Sequence, residues 1–311
     1  MTDTSYYLGT SQQLHDAQLS ECVHLTRVTA QHITERIKRT DGAPVRSAFA
    51  VLPSKKAQTS SPAPTSAALL RGGRGGEVKL KVELSALWIA VAEPYDVRLP
   101  GWAWAQLVGL PDPRRRGARR VNAAIRQLVQ HKLVKSDGGR GVVNELTLLE
   151  ETGTAQSYTP PGERIDELRR AGQDITEHLY FKVPNGLWTN GWIAALTGRG
   201  LAMLLVLLQQ TAGAGREDRE VWFSPRAAER RLHLSQETIK AGIEDLDELG
   251  LVTVNRRPVT YNPLEPTRVR KTYTLHTTRL THGEPTHLGQ LPDAVPTETR
   301  PRRRRSNTEQ Q

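Results

Sequence analysis

Two stretches of this chain decide the fold: VNAAIRQLVQHKLV at 121–134 and IKAGIEDLDELGLV at 239–252. Both place large apolar residues at successive spacings of 4, 3, 5 and 1, and each matched pair lies 118 positions apart. Spacings of 4 and 3 form one face of a helix, and the apolar pair that follows fits the start of a strand. The sequence therefore predicts a structural unit that occurs twice. The matched positions are Val121, Ile125, Leu128, Leu133 and Val134, and then Ile239, Ile243, Leu246, Leu251 and Val252.

The segments around each copy predict further helices before the repeat and a second strand after it. Helical spacing recurs at 84–91 and 102–108 in the first copy, and an apolar helix at 201–208 precedes two capped helices in the second. Glycine-rich turn residues at 137–141 predict a hairpin. Three helices followed by two strands is the order of a winged helix–turn–helix. We expect a mainly α fold with small β-hairpin wings (α+β), and an additional short strand where apolar residues alternate at 78–82.

Composition divides the rest of the chain. The stretch at 40–77 contains Pro, Ser and Arg-Gly-Gly repeats and few large apolar groups, which favours disorder. The predicted divisions are an N-terminal amphipathic helical segment (1–39), a disordered linker (40–77), a first winged-helix domain (78–150), a connector (151–179), a second winged-helix domain (180–276) and a disordered basic tail (277–311).

The N-terminal segment has apolar or small residues at alternating spacings of 4 and 3 between Leu19 and Ile37. This pattern extends over fewer than three heptads and includes a threonine and an alanine. It favours a weakly amphipathic helix that docks on another part of the chain, and the alternative is a dimerising coiled coil.

Charge indicates the class of partner. The 311 residues include 43 Lys and Arg against 33 Asp and Glu, a formal net charge of +10. This excess favours nucleic acid or an acidic membrane surface. The single cysteine, Cys22, excludes a disulfide framework. The chain begins with a polar stretch, and its longest apolar run has eight residues, so we expect a cytoplasmic, nucleoid-associated protein rather than a secreted or membrane protein.

The first copy contains the densest positive charge. From Pro113 to Arg140 there are nine Lys or Arg residues and one acid. On a helical wheel, the arginines fall opposite the apolar stripe of the third helix, or in the turn before it if the helix begins near Gly117. Arginine can bond guanine bidentately and asparagine can pair with adenine. The predicted DNA-binding residues of this copy are Arg114, Arg115, Arg116, Arg119, Arg120, Asn122, Arg126, Lys135 and Arg140.

The second copy differs in charge. Its third helix exposes Glu244 and Asp247, which repel a phosphate backbone. We therefore expect this copy either to bind DNA through its basic wing or to form a protein interface. Its predicted DNA-binding residues are Gln236, Lys240, Arg256, Arg257, Arg268, Arg270 and Lys271.

Searches for catalytic and metal-binding patterns give no candidates. There is no phosphate-binding loop of the Gly-x-x-x-x-Gly-Lys-Ser/Thr type, no Gly-x-Ser-x-Gly nucleophile elbow and no His-x-x-x-His pair. We expect a protein that is not an enzyme and has no cofactor, no catalytic residue and no metal ligand. The six tryptophans lie beside Leu and Val, which favours core positions over base stacking.

Five segments carry a resemblance to a known family. They are YFKVPNGLWTNGWI at 180–193, LAMLLVLL at 201–208, VWFSP at 221–225, LPDP at 110–113 and RGARRV at 116–121. Together they resemble a family of tandem winged-helix DNA-binding proteins of high-GC Gram-positive bacteria. The resemblance covers about residues 78 to 280 and implies DNA binding in a regulatory or mobile-element setting. It implies no catalytic residues.

The sequence therefore predicts a sequence-specific double-stranded DNA-binding protein, foremost a transcriptional regulator. One alternative is a plasmid or mobile-element replication initiator, which would use the same residues. Another is a winged-helix protein-interaction scaffold of a chromosome-organising complex. The predicted partner is double-stranded DNA. Homodimerisation is left open, and neither a membrane nor a small-molecule effector is indicated.

Overall fold

The computed structural model describes residues 4–37, 41–53, 62–71, 75–136, 143–213, 219–259 and 269–285. Within these ranges the chain is mainly helical with small antiparallel sheets, as the sequence predicts. The helices are α1 (Thr4–Ile37), α2 (Ser47–Ala50), α3 (Thr65–Leu70), α4 (Gly76–Ile89), α5 (Gly101–Leu107), α6 (Ala118–Gln130), α7 (Pro161–Arg170), α8 (Gly186–Thr189), α9 (Trp192–Ala195), α10 (Gly198–Thr211), α11 (Pro225–Leu232), α12 (Gln236–Glu248) and α13 (Thr277–His282). A π-helical turn spans Pro113–Gly117, and a 3₁₀ turn spans Thr176–His178.

The strands form three small antiparallel sheets. One has the order β2-β4-β3, and the other two are the pairs β1-β5 and β6-β7. The strands are β1 (Ala43–Arg46), β2 (Asp96–Pro100), β3 (Val134–Ser136), β4 (Val143–Leu148), β5 (Tyr180–Val183), β6 (Val252–Pro258) and β7 (Val269–Leu275).

The structure confirms the internal repeat. Helices α6 and α12 both have 13 residues, and they begin and end 118 positions apart. In both copies the third helix leads into a strand, β3 or β6. The element order in the first copy is α4, β2, α5, α6, β3, β4. In the second it is α10, an isolated bridge at Val221, α11, α12, β6, β7.

Two residues after the end of each third helix, the chain adopts the left-handed conformation. The two positions are again 118 apart, and they are occupied by Lys132 (φ 60°) and Gly250 (φ 65°). A residue with a Cβ is strained in this region, whereas glycine is not. The first copy therefore contains a strained lysine where the second has the favoured residue.

Replacing Lys132 with glycine is expected to raise the free energy of unfolding by roughly 0.5–1 kcal/mol, because relief of the left-handed strain exceeds the entropic cost of glycine. Urea denaturation followed by circular dichroism measures the change. Lys135→Gly removes the same charge from the extended strand β3, where glycine weakens the strand, and should lower stability. Equal destabilisation by both substitutions would contradict the strain argument.

The predicted strand at 78–82 is wrong, because these residues lie within α4. Every residue from Gly76 to Trp88 of this helix except Glu77 is buried. A helix that is buried on all sides has no exposed polar face. Its apolar residues therefore need not recur at the helical period of 3.6 residues, and those at 78–82 alternate as they would in a strand. Its polar side chains are buried too: the Nζ of Lys81 donates to the Glu77 carboxylate at 2.8 Å, and burial lowers the pKa of Lys81.

The predicted disorder of the linker at 40–77 is wrong for the residues that the structure describes. This segment contains β1, α2, α3 and the first residues of α4, and the side chains of Val45 and Phe49 are fully buried. Strand β1 pairs with β5, with Val45 opposite Phe181. The partners lie far away in sequence, so the local composition gives no sign of them. The predicted tail likewise begins with α13, and residues 286–311 lie outside the described residues.

Helix α1 docks on the first copy of the repeat and on the segment that precedes the second copy, in line with the first N-terminal alternative. It packs against α5 of the first copy and against α8 and α9, which precede the second. Thr26 and Ala30 are fully buried, and the Thr26 hydroxyl donates to the main-chain oxygen of Gln106 at 2.8 Å. The middle of the face that could form a coiled coil is therefore covered by the chain itself, whereas Leu19, Val23 and Ile37 are only partly buried.

The two copies share one continuous hydrophobic core. The rings of Trp88 and Trp188 stack with their centroids 4.8 Å apart and their planes 5° apart. The Nε1 of Trp188 donates to the Ser85 hydroxyl at 2.9 Å.

At Gly109 (φ +71°), a Cβ would lie 2.3 Å from the Cβ of Ala194, so the chain there approaches α9 without space for a side chain. Four of the six tryptophans are fully buried: Trp88, Trp104, Trp188 and Trp192.

A buried ionic cluster fastens β1 to the segment that follows β4. The guanidinium of Arg46 is 1% exposed, and the Glu151 carboxylate is fully buried. Arg46 donates to Glu151 from Nη1 at 2.6 Å and from its main-chain nitrogen at 2.9 Å. Its Nη2 donates to the main-chain oxygen of Thr159 at 2.8 Å. Burial raises the pKa of Glu151, although the positive charge of Arg46 opposes the shift.

Among the described helices, none combines the length and the apolar character that a bilayer-spanning segment needs.

Candidate nucleic-acid interface

Helix α6 has one buried face and one basic face. Val121, Ala124, Ile125 and Leu128 pack into the core. The opposite face is exposed, which agrees with the amphipathic pattern in the sequence. Its exposed residues include Arg119, Arg120, Asn122 and Arg126.

The turn before α6 holds three more arginines. Arg114, Arg115 and Arg116 lie in the π-helical turn, so the helix proper begins after Gly117. The Asp112 carboxylate accepts a hydrogen bond from the main-chain nitrogen of Arg116 at 3.2 Å, which fixes the turn. The three side chains are exposed. Gly117 and Ala118 are both in the right-handed helical conformation, so this turn continues directly into α6. The three arginines therefore lie in the first, π-helical turn of one continuous helical segment that begins at Pro113, ahead of its α-helical part.

Arg114 is positioned by an aromatic ring. Its guanidinium carbon lies 5.1 Å from the ring centroid of Trp102, the second residue of α5. A stacked guanidinium keeps its donors in a defined plane, and the contact is attractive. The sequence gives no sign of this pair, because tryptophans beside Leu and Val are typical of core positions, whereas Trp102 is only partly buried.

The positive charge of this surface is not neutralised within the described residues. Over those parts of the chain, none of the six arginines forms an ion pair. Lys135 is exposed on β3, whereas Arg140 lies outside the described residues. We call this surface the basic face of α6, and it consists of Asn122 and six arginines. They are Arg114, Arg115, Arg116, Arg119, Arg120 and Arg126.

Helix α12 presents the opposite charge at matching positions. The residues 118 positions after Arg119 and Arg126 are Glu237 and Glu244, both exposed. Lys240 is exposed but lies 3.6 Å from the Glu244 carboxylate, and Gln236 is exposed at the first turn. The two third helices therefore share a backbone position and an apolar face but differ in the chemistry that they present.

Two basic residues of the β6-β7 pair already have partners within the chain. Arg257 makes an ion pair with Glu220 at 2.5 Å. The guanidinium carbon of Arg270 lies 3.7 Å from the ring centroid of Trp222, whose side chain is exposed. Arg256 and Lys271 face each other across the β6-β7 pair and are exposed. Arg268 lies outside the described residues.

Sequence patterns could not identify the partners of Arg257 and Arg270. Glu220 and Trp222 precede α11, and β7 begins almost fifty positions later. The bridge between Val221 and Tyr273 brings them together. Such pairing becomes visible only once the strand register is known.

Within the described ranges, no group of three or more His, Cys, Asp or Glu side chains is arranged to hold a metal ion. The chain matches no protein-family model, no curated protein and no solved structure.

Proposed function

We propose that this chain binds double-stranded DNA in a sequence-specific manner and regulates transcription. The observation that carries the proposal is the basic face of α6: six exposed arginines without a carboxylate partner among the described residues. They lie on, or immediately before, the third helix of a helix, strand, helix, helix, strand, strand unit. This order, with the sheet order β2-β4-β3, supports a winged helix–turn–helix, in which the third helix enters the major groove.

The basic face divides into two parts with different proposed roles. Arg114, Arg115 and Arg116 lie before the helix, where phosphates are the nearer partners, and phosphate contacts position a protein without reading sequence. Arg119, Asn122 and Arg126 follow one exposed line along α6, so they are placed to contact successive base edges.

Replacing Arg119 or Arg126 with alanine is expected to cost about 1–3 kcal/mol of binding free energy on the preferred duplex and much less on random DNA. The preferred duplex is first selected from a randomised pool. Arg115→Ala should weaken binding to both duplexes about equally, because its proposed partner is a phosphate. Competitive binding at one fixed salt concentration measures all three variants.

The matched control is Lys240→Ala, which changes the α12 position that corresponds to Asn122. It should leave the ratio of specific to random affinity unchanged. Loss of specificity in Lys240→Ala, with no effect in Arg119→Ala or Arg126→Ala, would make α12 the reading helix and invert the proposed roles.

A second candidate function is favoured by the acidic surface of α12. Glu237 and Glu244 replace two of the proposed base-reading arginines, and this is compatible with a scaffold whose second copy contacts protein. Genomic mapping of bound sites separates the candidates: many promoter sites support a regulator, repeated sites at one replication origin support an initiator, and no sites support a scaffold.

A further inference from the structure

A concavity of about 580 Å³ lies where the end of α3, helix α11 and the start of α12 meet. Three arginines line it, and they come from two distant parts of the chain: Arg71 follows α3, whereas Arg226 and Arg230 lie on α11. Glu229, His233 and Ser235 also line it. Three guanidinium groups against one carboxylate give this surface an excess of two positive charges.

The arginines are not neutralised by neighbours in the described chain. In those ranges none of the three forms an ion pair. The Nη2 of Arg71 donates to the main-chain oxygen of His233 at 3.1 Å, which holds Arg71 beside α11 and leaves its other donors available. Arg226 and Arg230 have exposed side chains.

His233 adds an unsatisfied polar group. Its Nε2 is buried and has no hydrogen-bond partner among the described residues. Burial and the nearby charge of Arg71 lower the pKa of this imidazole, so the ring is neutral at neutral pH and one ring nitrogen can donate. A buried polar atom without a partner is costly. Because this nitrogen is buried, the ligand contacts proposed below are those of the arginines alone.

Comparison of the two copies shows that the second lacks the three arginines that precede the third helix of the first. In the first copy, Arg114, Arg115 and Arg116 surround the start of the third helix. The residues 118 positions later are Leu232, His233 and Leu234, which carry no permanent charge. In the second copy the arginines at the start of the third helix therefore come from α11 and from the segment after α3.

We propose that this concavity binds a phosphate group through the guanidinium groups of Arg71, Arg226 and Arg230. Arginine is suited to this ligand because its planar donors match two phosphate oxygens at once. The phosphate is assigned to the DNA backbone, and that assignment rests on the proposed function. The phosphate chemistry itself does not, because a free phosphate compound has the same oxygens.

The test uses the full chain and three variants. Arg226→Ala and Arg230→Ala remove proposed ligands whose side chains are exposed, so the fold should persist, and thermal unfolding verifies this. Arg169→Ala removes the same charge from a side chain on α7 that is 63% exposed. Two probes are used: a random-sequence DNA duplex over a series of salt concentrations, and pyrophosphate by titration calorimetry.

Arg226→Ala and Arg230→Ala are each expected to reduce the magnitude of the log–log salt slope for DNA by about 0.9 per lost phosphate contact. Each should also weaken pyrophosphate binding by roughly tenfold, the loss expected for one charge-assisted contact. Arg169→Ala should change neither.

The two probes separate the sources of the phosphate. A reduced DNA slope supports the backbone assignment. If the wild-type chain binds pyrophosphate but not DNA, and the two variants lose pyrophosphate, the proposed function fails while the phosphate site stands. If both variants match Arg169→Ala on both probes, the phosphate site is overturned.

Discussion

Replacing Arg46 with methionine is expected to lower the free energy of unfolding by about 3–5 kcal/mol, the cost of removing one partner of a buried ion pair. Methionine retains much of the apolar stem but none of the donors. Urea denaturation followed by circular dichroism and by tryptophan fluorescence measures the loss. A change of this size should move the denaturation midpoint far more than any surface substitution does.

The large effect arises because removal of the Arg46 guanidinium leaves buried polar groups without their partners. Without the guanidinium, the fully buried Glu151 keeps the hydrogen bond from the main-chain nitrogen of residue 46 but loses its compensating charge. The main-chain oxygen of Thr159 also loses its donor at 2.8 Å. Unpaired buried groups retain the cost of desolvation and gain nothing in return.

Two control variants make the prediction specific. Arg98→Met removes an arginine that is 65% exposed and forms ion pairs with Glu145 and Asp96, and should cost less than about 1 kcal/mol. The double variant Arg46→Met/Glu151→Met should be more stable than Arg46→Met alone, because no buried charge remains. If the double variant is as unstable as the sum of both single variants, the two side chains are not coupled.

The parts of the fold that depend on local pattern are predictable from the sequence. The apolar stripe from Val121 to Leu128 identifies the buried face of α6, and the repeated spacing places α12 at the same relative position. Both inferences need only the helical period, which the chain displays within 13 residues.

The parts that depend on distant partners are not predictable in this way. The segment at 40–77 has a composition typical of disorder, yet Val45 pairs with Phe181 and Arg46 binds Glu151, which is 105 positions away. A few buried apolar and ionic contacts offset the ordering entropy of a segment that could not fold alone. Local composition gives no indication of these contacts.

The residues of the candidate site likewise fall into a group that local sequence predicts and a group that depends on distant partners. Exposure of Arg119 and Arg126 follows from the wheel of α6, because the opposite face is apolar. The engagement of Arg257 by Glu220 and of Arg270 by Trp222 requires the tertiary structure, since residues more than thirty positions apart meet there. A count of basic residues therefore overstates the charge that the β6-β7 pair leaves without a partner, whereas it describes the basic face of α6 well.

The second large effect concerns Glu83, a carboxyl group in the middle of α4. The residue is fully buried, and within the described chain neither carboxylate oxygen has a hydrogen-bond partner. Burial raises the pKa of Glu83 well above its usual range, and the nearby Glu151 carboxylate raises it further. The folded protein therefore holds a proton on Glu83 at pH values where the unfolded chain has released it.

This difference makes stability depend on pH with a definite sign. Below the pKa of an unfolded-state glutamate, about 4.3, both states bind the proton and Glu83 adds no pH dependence. Above it, stability is lost at about 1.4 kcal/mol per pH unit until the folded-state pKa is passed. Glu83→Gln has nearly the same shape and does not titrate, so it should lack this loss.

The expected result is a difference in unfolding free energy between Glu83→Gln and the wild type that grows in favour of the variant as pH rises from 4.5 to 8. Urea denaturation at each pH measures it, and subtracting the wild-type curve cancels the titrating groups that do not interact with Glu83. Glu237→Gln makes the same chemical change on the exposed surface of α12 and should show no such trend. A flat difference for Glu83→Gln would mean that the Glu83 carboxylate is ionised in the fold and that water or a cation reaches it.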